Sequence, residues 1–279
     1  MRRALIGVVL AILVGCATWG FWLEPASLHI ETVVLPLAWP YSRPLRMAVA
    51  SDLHVGSPYE SVEHLRTVVD RINSTKPDMV CLLGDFVTAD PFGGHIAPEE
   101  LTGELSRLRA PGGVMAVLGN HDHARGLHRV YEALTRAGIR ILEDTAVRAA
   151  TPSGPVWVAG VTDFWTGAHD VGRALRDIPP GDAPIILLTH NPDVFPEVPR
   201  GVLLTLAGHT HGGQVTLPLI GAPIVPSRYG QRYVKGHVHE GGRDLFVTTG
   251  VGTSGLPVRF GVPPVISVVT ISRAAGLKP

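Results

Sequence analysis

The sequence predicts an α/β domain carried behind one apolar N-terminal helix, and three observations predict it. Short apolar runs of strand type alternate with stripes of helical spacing along most of the chain. The first residues form one long uncharged segment. The 32 Gly and 24 Pro among 279 residues call for many turns and loops, which a helix bundle would not need.

Residues 4–23 hold no charge and follow Arg2 and Arg3. As a helix at about 1.5 Å per residue this segment covers roughly 30 Å, the thickness of a bilayer's hydrocarbon core. Trp19, Phe21 and Trp22 suit the far interface, and the two arginines favour a cytoplasmic N-terminus, which puts the remainder on the extracytoplasmic side. Two cleaved alternatives stand beside this single anchor. Leu13-Val14-Gly15-Cys16 resembles a bacterial lipobox, with Cys16 as the lipidated residue, and a plain secretory signal is the other. The apolar continuation through Trp22 favours the anchor.

A strand follows at 28–35, broken up by Pro36, Pro40 and Pro44. Further strands are expected at 45–50, 79–83, 114–118, 156–161, 185–189 and 202–207, each a nearly continuous apolar run of the kind covered on both faces. The first internal helix is expected to start on Ser57 as N-cap, with Pro58 in its first turn and Glu60 three residues after the cap. Val62, Leu65, Val69 and Ile72 then form its buried stripe. Similar stripes occur at Leu101, Leu105 and Leu108, and at Leu127, Val130, Tyr131 and Leu134, with Gly138 as a C-cap. Beyond residue 213 the pattern is β-type.

Charge and cysteine content exclude several classes. The 24 Lys+Arg balance 24 Asp+Glu, so no broad basic surface exists to neutralise a nucleic-acid backbone. With 45% hydrophobic residues the chain can bury a sizeable core. Its 2 cysteines make neither a disulfide framework nor a thiolate metal site, and Cys81 reads as a small core hydrophobe. The distinctive count is 13 histidines.

Five short motifs stand at or just after strand ends: Asp52-Leu53-His54, Gly84-Asp85, Gly119-Asn120-His121-Asp122, His190 and Gly208-His209-Thr210-His211. Loops at the carboxyl ends of strands converge on one crevice in α/β sheets. Their carboxylates, amide oxygen and imidazoles exceed the needs of one cation and suit two. Two divalent cations about 3.5–4 Å apart can hold a phosphate oxygen, activate water and stabilise an in-line displacement. Nitrogen and oxygen donors without thiolate suit Mn, Fe, Zn, Ni or Co. His64, His95, His123, His128 and His169 lack such a pattern and read as ordinary histidines.

The ordered set D-x-H, G-D, G-N-H-D, H, G-H-x-H strongly resembles the calcineurin-like metallophosphoesterase superfamily from about residue 45 to the C-terminus. The resemblance implies a two-sheet β-sandwich core flanked by helices and a pair of divalent metals, manganese foremost, with Fe, Zn, Ni, Co or Mg as the others. It implies a first metal held by Asp52, His54, Asp85 and His211, and a second by Asp85, Asn120, His190 and His209, with Asp85 bridging. His121 takes the acid role toward the leaving group, and Asp122 orients the site. Thr88 stands where purple acid phosphatases carry a metal-binding tyrosine, and Gly84-Asp85-Phe86-Val87-Thr88-Ala89-Asp90 departs from the G-D-x-V-D-R-G of protein Ser/Thr phosphatases.

Glu24-Pro25, His190-Asn191-Pro192-Asp193, Tyr229-Gly230 and the Gly-rich tail at 250–260 fit better a bacterial membrane-associated branch of phosphodiesterases, some of which hydrolyse UDP-2,3-diacylglucosamine in lipid A synthesis. A phosphodiester or pyrophosphate, possessing a lipid in some members, is the implied substrate, with no nucleic acid. In that tail Arg259 is placed to reach substrate phosphate, against a surface ion pair as the alternative. The implied organisation is an anchor at 1–25, a connecting strand and Pro-rich segment at 26–44, the phosphoesterase domain at 45–273 and a tail at 274–279. The implied location is the bacterial inner membrane, single-pass, with the catalytic domain extracytoplasmic by the charge rule and cytoplasmic if lipid A precursors are the substrate. The rival from another class is a metal-binding interaction module on the same fold that has lost catalysis. The oligomeric state is not legible.

Overall fold

The computed structural model describes residues 1–279 except 92, 168, 275 and 277–279, so most of the tail expected at 274–279 lies outside the described residues. An apolar helix, α1 (Arg2–Thr18), continues as a wider π-helical turn (Trp19–Leu23). The combined span Arg2–Leu23 is long and apolar enough to cross a membrane and packs little of itself on the protein.

Two six-stranded mixed sheets lie face to face. The first contains β1 (His29–Leu37), β2 (Leu45–Ala50), β3 (Met79–Leu83), β4 (Val114–Val117), β5 (Arg140–Ile141) and β12 (Val265–Arg273), in the spatial order β1-β12-β2-β3-β4-β5. The second contains β6 (Thr145–Thr151), β7 (Gly154–Gly160), β8 (Ile185–Leu188), β9 (Leu204–Ala207), β10 (Gly236–Glu240) and β11 (Arg243–Val247), in the order β10-β11-β9-β8-β7-β6. The runs β2-β3-β4-β5 and β7-β8-β9-β11 are parallel, so the carboxyl ends of β2, β3 and β4 share one edge of their sheet, and those of β8 and β9 one edge of theirs.

The continuous apolar runs are explained by cover on both faces. Along β2 and β3, Leu45, Met47, Val49, Met79, Cys81 and Leu83 point between the sheets, where they meet Val156, Val158, Ile186, Leu188, Leu204 and Leu206. The alternate residues Ala48, Ala50, Val80 and Leu82 face outward onto Leu65, Val69 and Ile72 of α2 (Val62–Ser74) and onto Leu101, Leu105, Val130 and Leu134. Those last four lie on α3 (Leu101–Leu105) and α5 (Leu127–Arg136). The outer face of the second sheet is covered by Phe164, Val194 and Phe195. The architecture is the helix-flanked two-sheet sandwich.

Two local expectations are corrected. The α2 cap is Ser61, whose hydroxyl accepts from the His64 amide, whereas Ser57–Glu60 closes a separate turn through the Glu60 amide and the Ser57 carbonyl. Both serines carry cap chemistry, and helix entry is decided by where the chain leaves the site loop. The N-terminal strand also runs through Pro36 to Leu37, because β1 is an edge strand and proline there sacrifices no ladder bond that the sheet needs.

Candidate dinuclear metal site

Each sequence motif leaves a strand at its carboxyl end. Asp52 and His54 follow β2, Asp85 follows β3, Asn120–Asp122 opens the short helix α4 (Asn120–Ala124) after β4, His190 follows β8, and His209 and His211 follow β9. Three loops from one sheet thus meet two from the other at one end of the sandwich.

The loops turn so sharply that ligand-type residues adopt backbone angles other side chains avoid. Of ten non-glycine residues with positive φ among the described residues, five are Asp52, His54, Asp85, His209 and His211. Such conformations cost about 1–3 kcal/mol each and persist where the surroundings over-determine them. Neighbouring glycines make the close approach possible: a Cβ on Gly119 would collide with the Asp85 carboxylate, and one on Gly208 with the Ser51 hydroxyl.

The side chains form two clusters that share an atom. In the first, His54 Nε2 and His211 Nε2 are 3.3 Å apart, and Asp52 Oδ1 lies 3.4 Å from His211 Nε2. In the second, His190 Nε2 lies 3.2 Å from Asn120 Oδ1 and 3.1 Å from His209 Nδ1. Asp85 Oδ2 stands between them, 3.5 Å from His54 Nε2 and 3.3 Å from His190 Nε2. Asp52, His54, Asp85, His190, His209 and His211 are all buried.

This arrangement fits a pair of cations. Asp52 Oδ1 is buried and accepts no hydrogen bond, although its partner oxygen takes the His209 amide at 3.0 Å. Ring nitrogens facing each other at 3.1–3.3 Å have no use for one another as acceptors, and bonds of about 2.0–2.2 Å to a common cation account for that spacing. The far sides of two rings are set accordingly: His190 Nδ1 donates to the Leu83 carbonyl at 2.6 Å and His211 Nδ1 to the Gly252 carbonyl at 3.3 Å. Those bonds hold the rings with Nε2 toward the site.

Electrostatics prepare the same donors. Burial pushes His54, His209 and His211 down to about 3, so they are neutral with a free lone pair at neutral pH. Burial would lower His190 too, but the Asp85 carboxylate outweighs it and raises His190 well above its ordinary value. Burial opposes ionisation of Asp85, and His190 and His54 reverse that and hold it well below the carboxylate range. His190 would serve as a metal ligand only in its deprotonated form, so metal binding there would be linked to pH.

Around the clusters, His121 is half-buried. The Ala89 amide donates to its Nδ1 at 2.9 Å, so the neutral ring carries its proton on Nε2, which lies 3.3 Å from Ser254 Oγ. The His121 amide donates to Asp85 Oδ1 at 2.8 Å. Asp122 is buried and accepts from the amides of Asp85, Phe86 and Gly119 at 2.8–2.9 Å, locking two ligand loops together. Burial and the Asp85 charge push its carboxyl up to about 7, while the amide donors pull the other way.

Arg259 differs from both sequence expectations. It is fully buried, and its guanidinium donates to the carbonyls of Thr249, Gly250, Gly252, Val262 and Pro263. With its donors spent on backbone it stiffens the Gly-rich loop behind Asp52 and His211 and does not reach toward a phosphate. Burial lowers it to about 10, which leaves it cationic.

Several neighbours escaped the sequence reading. Asp90 gathers with His54 and His121 in a third polar group, Ser254 faces His121, and Trp165 sets its ring edge-on to His209 with centroids 4.3 Å apart. Asp90 and Ser254 lie in stretches that the sequence analysis quotes without giving either residue a role, Trp165 lies in none, and each arrives from a different loop. Glu24 was legible only as part of Glu24-Pro25; it accepts from the amides of Gly261 and Val262 and from the Trp19 indole, tying the end of the apolar helix to the Arg259 loop. A cavity of about 960 Å³ lies elsewhere, between strand edges lined by Tyr41, Asp182, Arg200 and His237.

A helix-flanked sandwich with this donor set at its strand ends defines a metallophosphoesterase, a hydrolase. The chain belongs to the calcineurin-like phosphoesterases, whose family model matches residues 45–241 and whose members use a dinuclear divalent-metal centre. It is similar to the metallophosphoesterase YkuE of Bacillus subtilis (35% identity over 79% of this chain and 77% of that one). The phosphodiesterase YaeI of Escherichia coli is 31% identical over 90% of this chain and 92% of its own. The UDP-2,3-diacylglucosamine pyrophosphatase LpxG of Chlamydia trachomatis is 29% identical over 77% and 78%. Among solved structures, a 5'-nucleotidase precursor from Thermus thermophilus shares the fold at a TM-score of 0.50 and 15% identity, covering 74% of this chain, which spans 48% of that longer one.

Proposed function

We propose that the protein is a membrane-anchored phosphodiesterase or pyrophosphatase acting on a lipid-linked substrate. The observation that carries the hydrolytic part is Asp85 Oδ2 poised between two nitrogen clusters, with His121 Nε2 protonated beside them. In this reading Asp52, His54, Asp85 and His211 hold one cation, and Asp85, Asn120, His190 and His209 the other. When bound, the two cations supply Lewis-acid polarisation of the phosphoryl group and a water of lowered pKa. His121 turns its Nε2–H toward the leaving oxygen and stabilises the charge that develops there, while the proton that oxygen finally takes comes from solvent. Asp122 is a positioning residue: through the Asp85, Phe86 and Gly119 amides it fixes the loops that aim Asp85 and His121.

The lipid-linked substrate rests on the apolar span Arg2–Leu23 and on the likeness to LpxG, which supports UDP-2,3-diacylglucosamine or a related diphosphate as a substrate of this chain. Arg2 and Arg3 favour an extracytoplasmic domain. The test is full-length protein in detergent with Mn²⁺, given bis(p-nitrophenyl) phosphate and then UDP-2,3-diacylglucosamine, with protease access to spheroplasts reporting sidedness. Hydrolysis of both supports the reading. Hydrolysis of the chromogenic diester alone removes the nucleotide-lipid, and failure with every divalent metal supports a non-catalytic binding module.

A further inference from the structure

The segment that follows the second pair of histidines is unusual for a water-facing loop. Residues 212–227 contain no Lys, Arg, Asp or Glu. Within it Leu219, Ile220 and Ile224 are 108, 63 and 79% exposed, and Pro218 and Pro223 are exposed as well. The loop is held in shape: the Leu217 amide donates to the Gly221 carbonyl and the Gly221 amide to the Leu217 carbonyl, both at 2.9 Å, and the Ala222 amide donates to Gln231 Oε1 at 3.1 Å. At its tip Leu219 has φ 68°, a conformation that favours Gly or Asn. A leucine held there carries a conformational cost while its side chain gains no burial within the chain.

The apolar helix adjoins this loop. Val215 bridges Phe260, the Thr216 amide donates to the Phe260 carbonyl at 2.8 Å, and the Phe260 amide to the Gln214 carbonyl at 2.8 Å. The next residue back, Arg259, donates its amide to the Gly20 carbonyl at 2.9 Å, and a Cβ on Gly20 would sit 3.4 Å from Val258 and 3.5 Å from Phe260. One chain segment therefore separates the loop from the end of the helix, where Trp22 and Leu23 are exposed, and Leu256 on that segment is exposed too. Trp22, Leu23, Leu256, Leu219, Ile220 and Ile224 are thus exposed apolar side chains carried on three adjoining segments.

We propose that the loop at 217–224 is a second membrane contact, inserted into the interface of a phospholipid bilayer beside the end of the apolar helix. The bilayer is the occupant because the surface continues a span that itself needs lipid cover. The consequence reaches the site. A Cβ on Gly213 would collide with Ala222, and Thr216 Oγ1 donates to the Gly212 carbonyl at 3.2 Å, so the loop is seated on the two residues after His211. The metal cluster thus faces the headgroup layer, where it takes a phosphodiester whose apolar part stays in the membrane. This inference rests on the anchored reading above.

The test uses the full chain in vesicles of phosphatidylcholine and phosphatidylglycerol, with Leu219→Cys labelled by an environment-sensitive fluorophore in a Cys16→Ser background; Cys81 is fully buried and stays unlabelled. Lys76→Cys, exposed at the opposite end of β3 from its site loop, is the control. Spin-labelled lipid is expected to quench position 219 several-fold more than position 76. Quenching of 219 by aqueous iodide as strongly as of 76 overturns the proposal, and so does shielding from both quenchers, which would mean that a second copy covers the loop. In a companion variant, Leu219→Ser with Ile220→Ser and Ile224→Ser, turnover of bis(p-nitrophenyl) phosphate is expected to stay within about twofold, while turnover of a lipid-borne phosphodiester in vesicles falls roughly tenfold. A parent enzyme inert on the lipid diester, with 219 still quenched by lipid, removes the substrate reading and leaves the membrane contact supported.

Discussion

The chain contains three His-x-His pairs, at 121/123, 209/211 and 237/239, and the last two, each with an aspartate from elsewhere in the chain at hand, behave in opposite ways. His237 and His239 lie on β10, where alternation puts both on one face, and each donates to Asp244 Oδ1, at 2.8 and 2.9 Å. Their polar groups satisfy one another at the surface. His209 and His211 sit on a loop with φ of 68° and 51°, which breaks the alternation and sends one ring to Asp85 and His190 and the other to Asp52 and His54. There the aspartate oxygens and ring nitrogens are buried without donors to spare. Residue type does not make a metal site; a strained backbone and burial that leave acceptors unanswered do.

The comparison can be broken from its strong side first. Asp85→Asn removes the oxygen shared by both clusters and is expected to reduce metal content below one ion per chain by elemental analysis, with phosphodiesterase activity falling on the order of 10³-fold. Metal content holding at two would show that the shared position is not needed. His121→Ala is expected to keep both ions and to slow hydrolysis of a diester with a poor leaving group by about 10²–10⁴-fold, with a smaller loss on a nitrophenyl ester. Equal losses on the two substrates would remove His121 from its role at the leaving oxygen.

Acid sensitivity sharpens the contrast. In metal-free protein His54, His209 and His211 stay neutral down to about 3, while their unfolded counterparts take up protons near 6.5. Between those values the unfolded state binds more protons, so stability rises with pH across the window and is lost on acidification. His190, raised well above 6.5, works the other way: its contribution is full below 6.5 and fades as pH rises through its folded value. Asp122, whose carboxyl is pushed up to about 7, also opposes them between pH 7 and its ordinary value near 3.8. Three rings against these two groups predict that the Tm of chelator-treated protein drops from pH 7 to pH 4, and a flat profile would contradict the burial assigned to the three rings. The smallest effect is expected at the surface pair: His239→Ala should change stability within about 0.5 kcal/mol and leave metal content and turnover unaltered.

Much of this was legible along the chain because it is local. Strands β2 and β3 match the expected runs residue for residue, since strands covered on both faces are apolar nearly throughout, Arg46 near the start of β2 being the one charged position. The glycine-flanked motifs were equally visible. Ser57 misled because a cap depends on one hydroxyl meeting one amide, and Ser61 four residues on does it instead. Arg259 misled more deeply: a lone arginine in a Gly-rich tail carries no sign that five carbonyls surround it.

The sequence by itself determined the class of fold, the order of the site loops and the donor types, because hydrophobic runs and turn residues act over a few positions. Only the tertiary structure decided which imidazole meets which carboxylate, that Asp122 clasps two loops, that Arg259 faces inward, and that the loop carrying Leu219 is paired to the segment on which the apolar helix ends. Those depend on contacts between residues tens to hundreds of positions apart, which close only when both sheets have packed and the five loops share one edge.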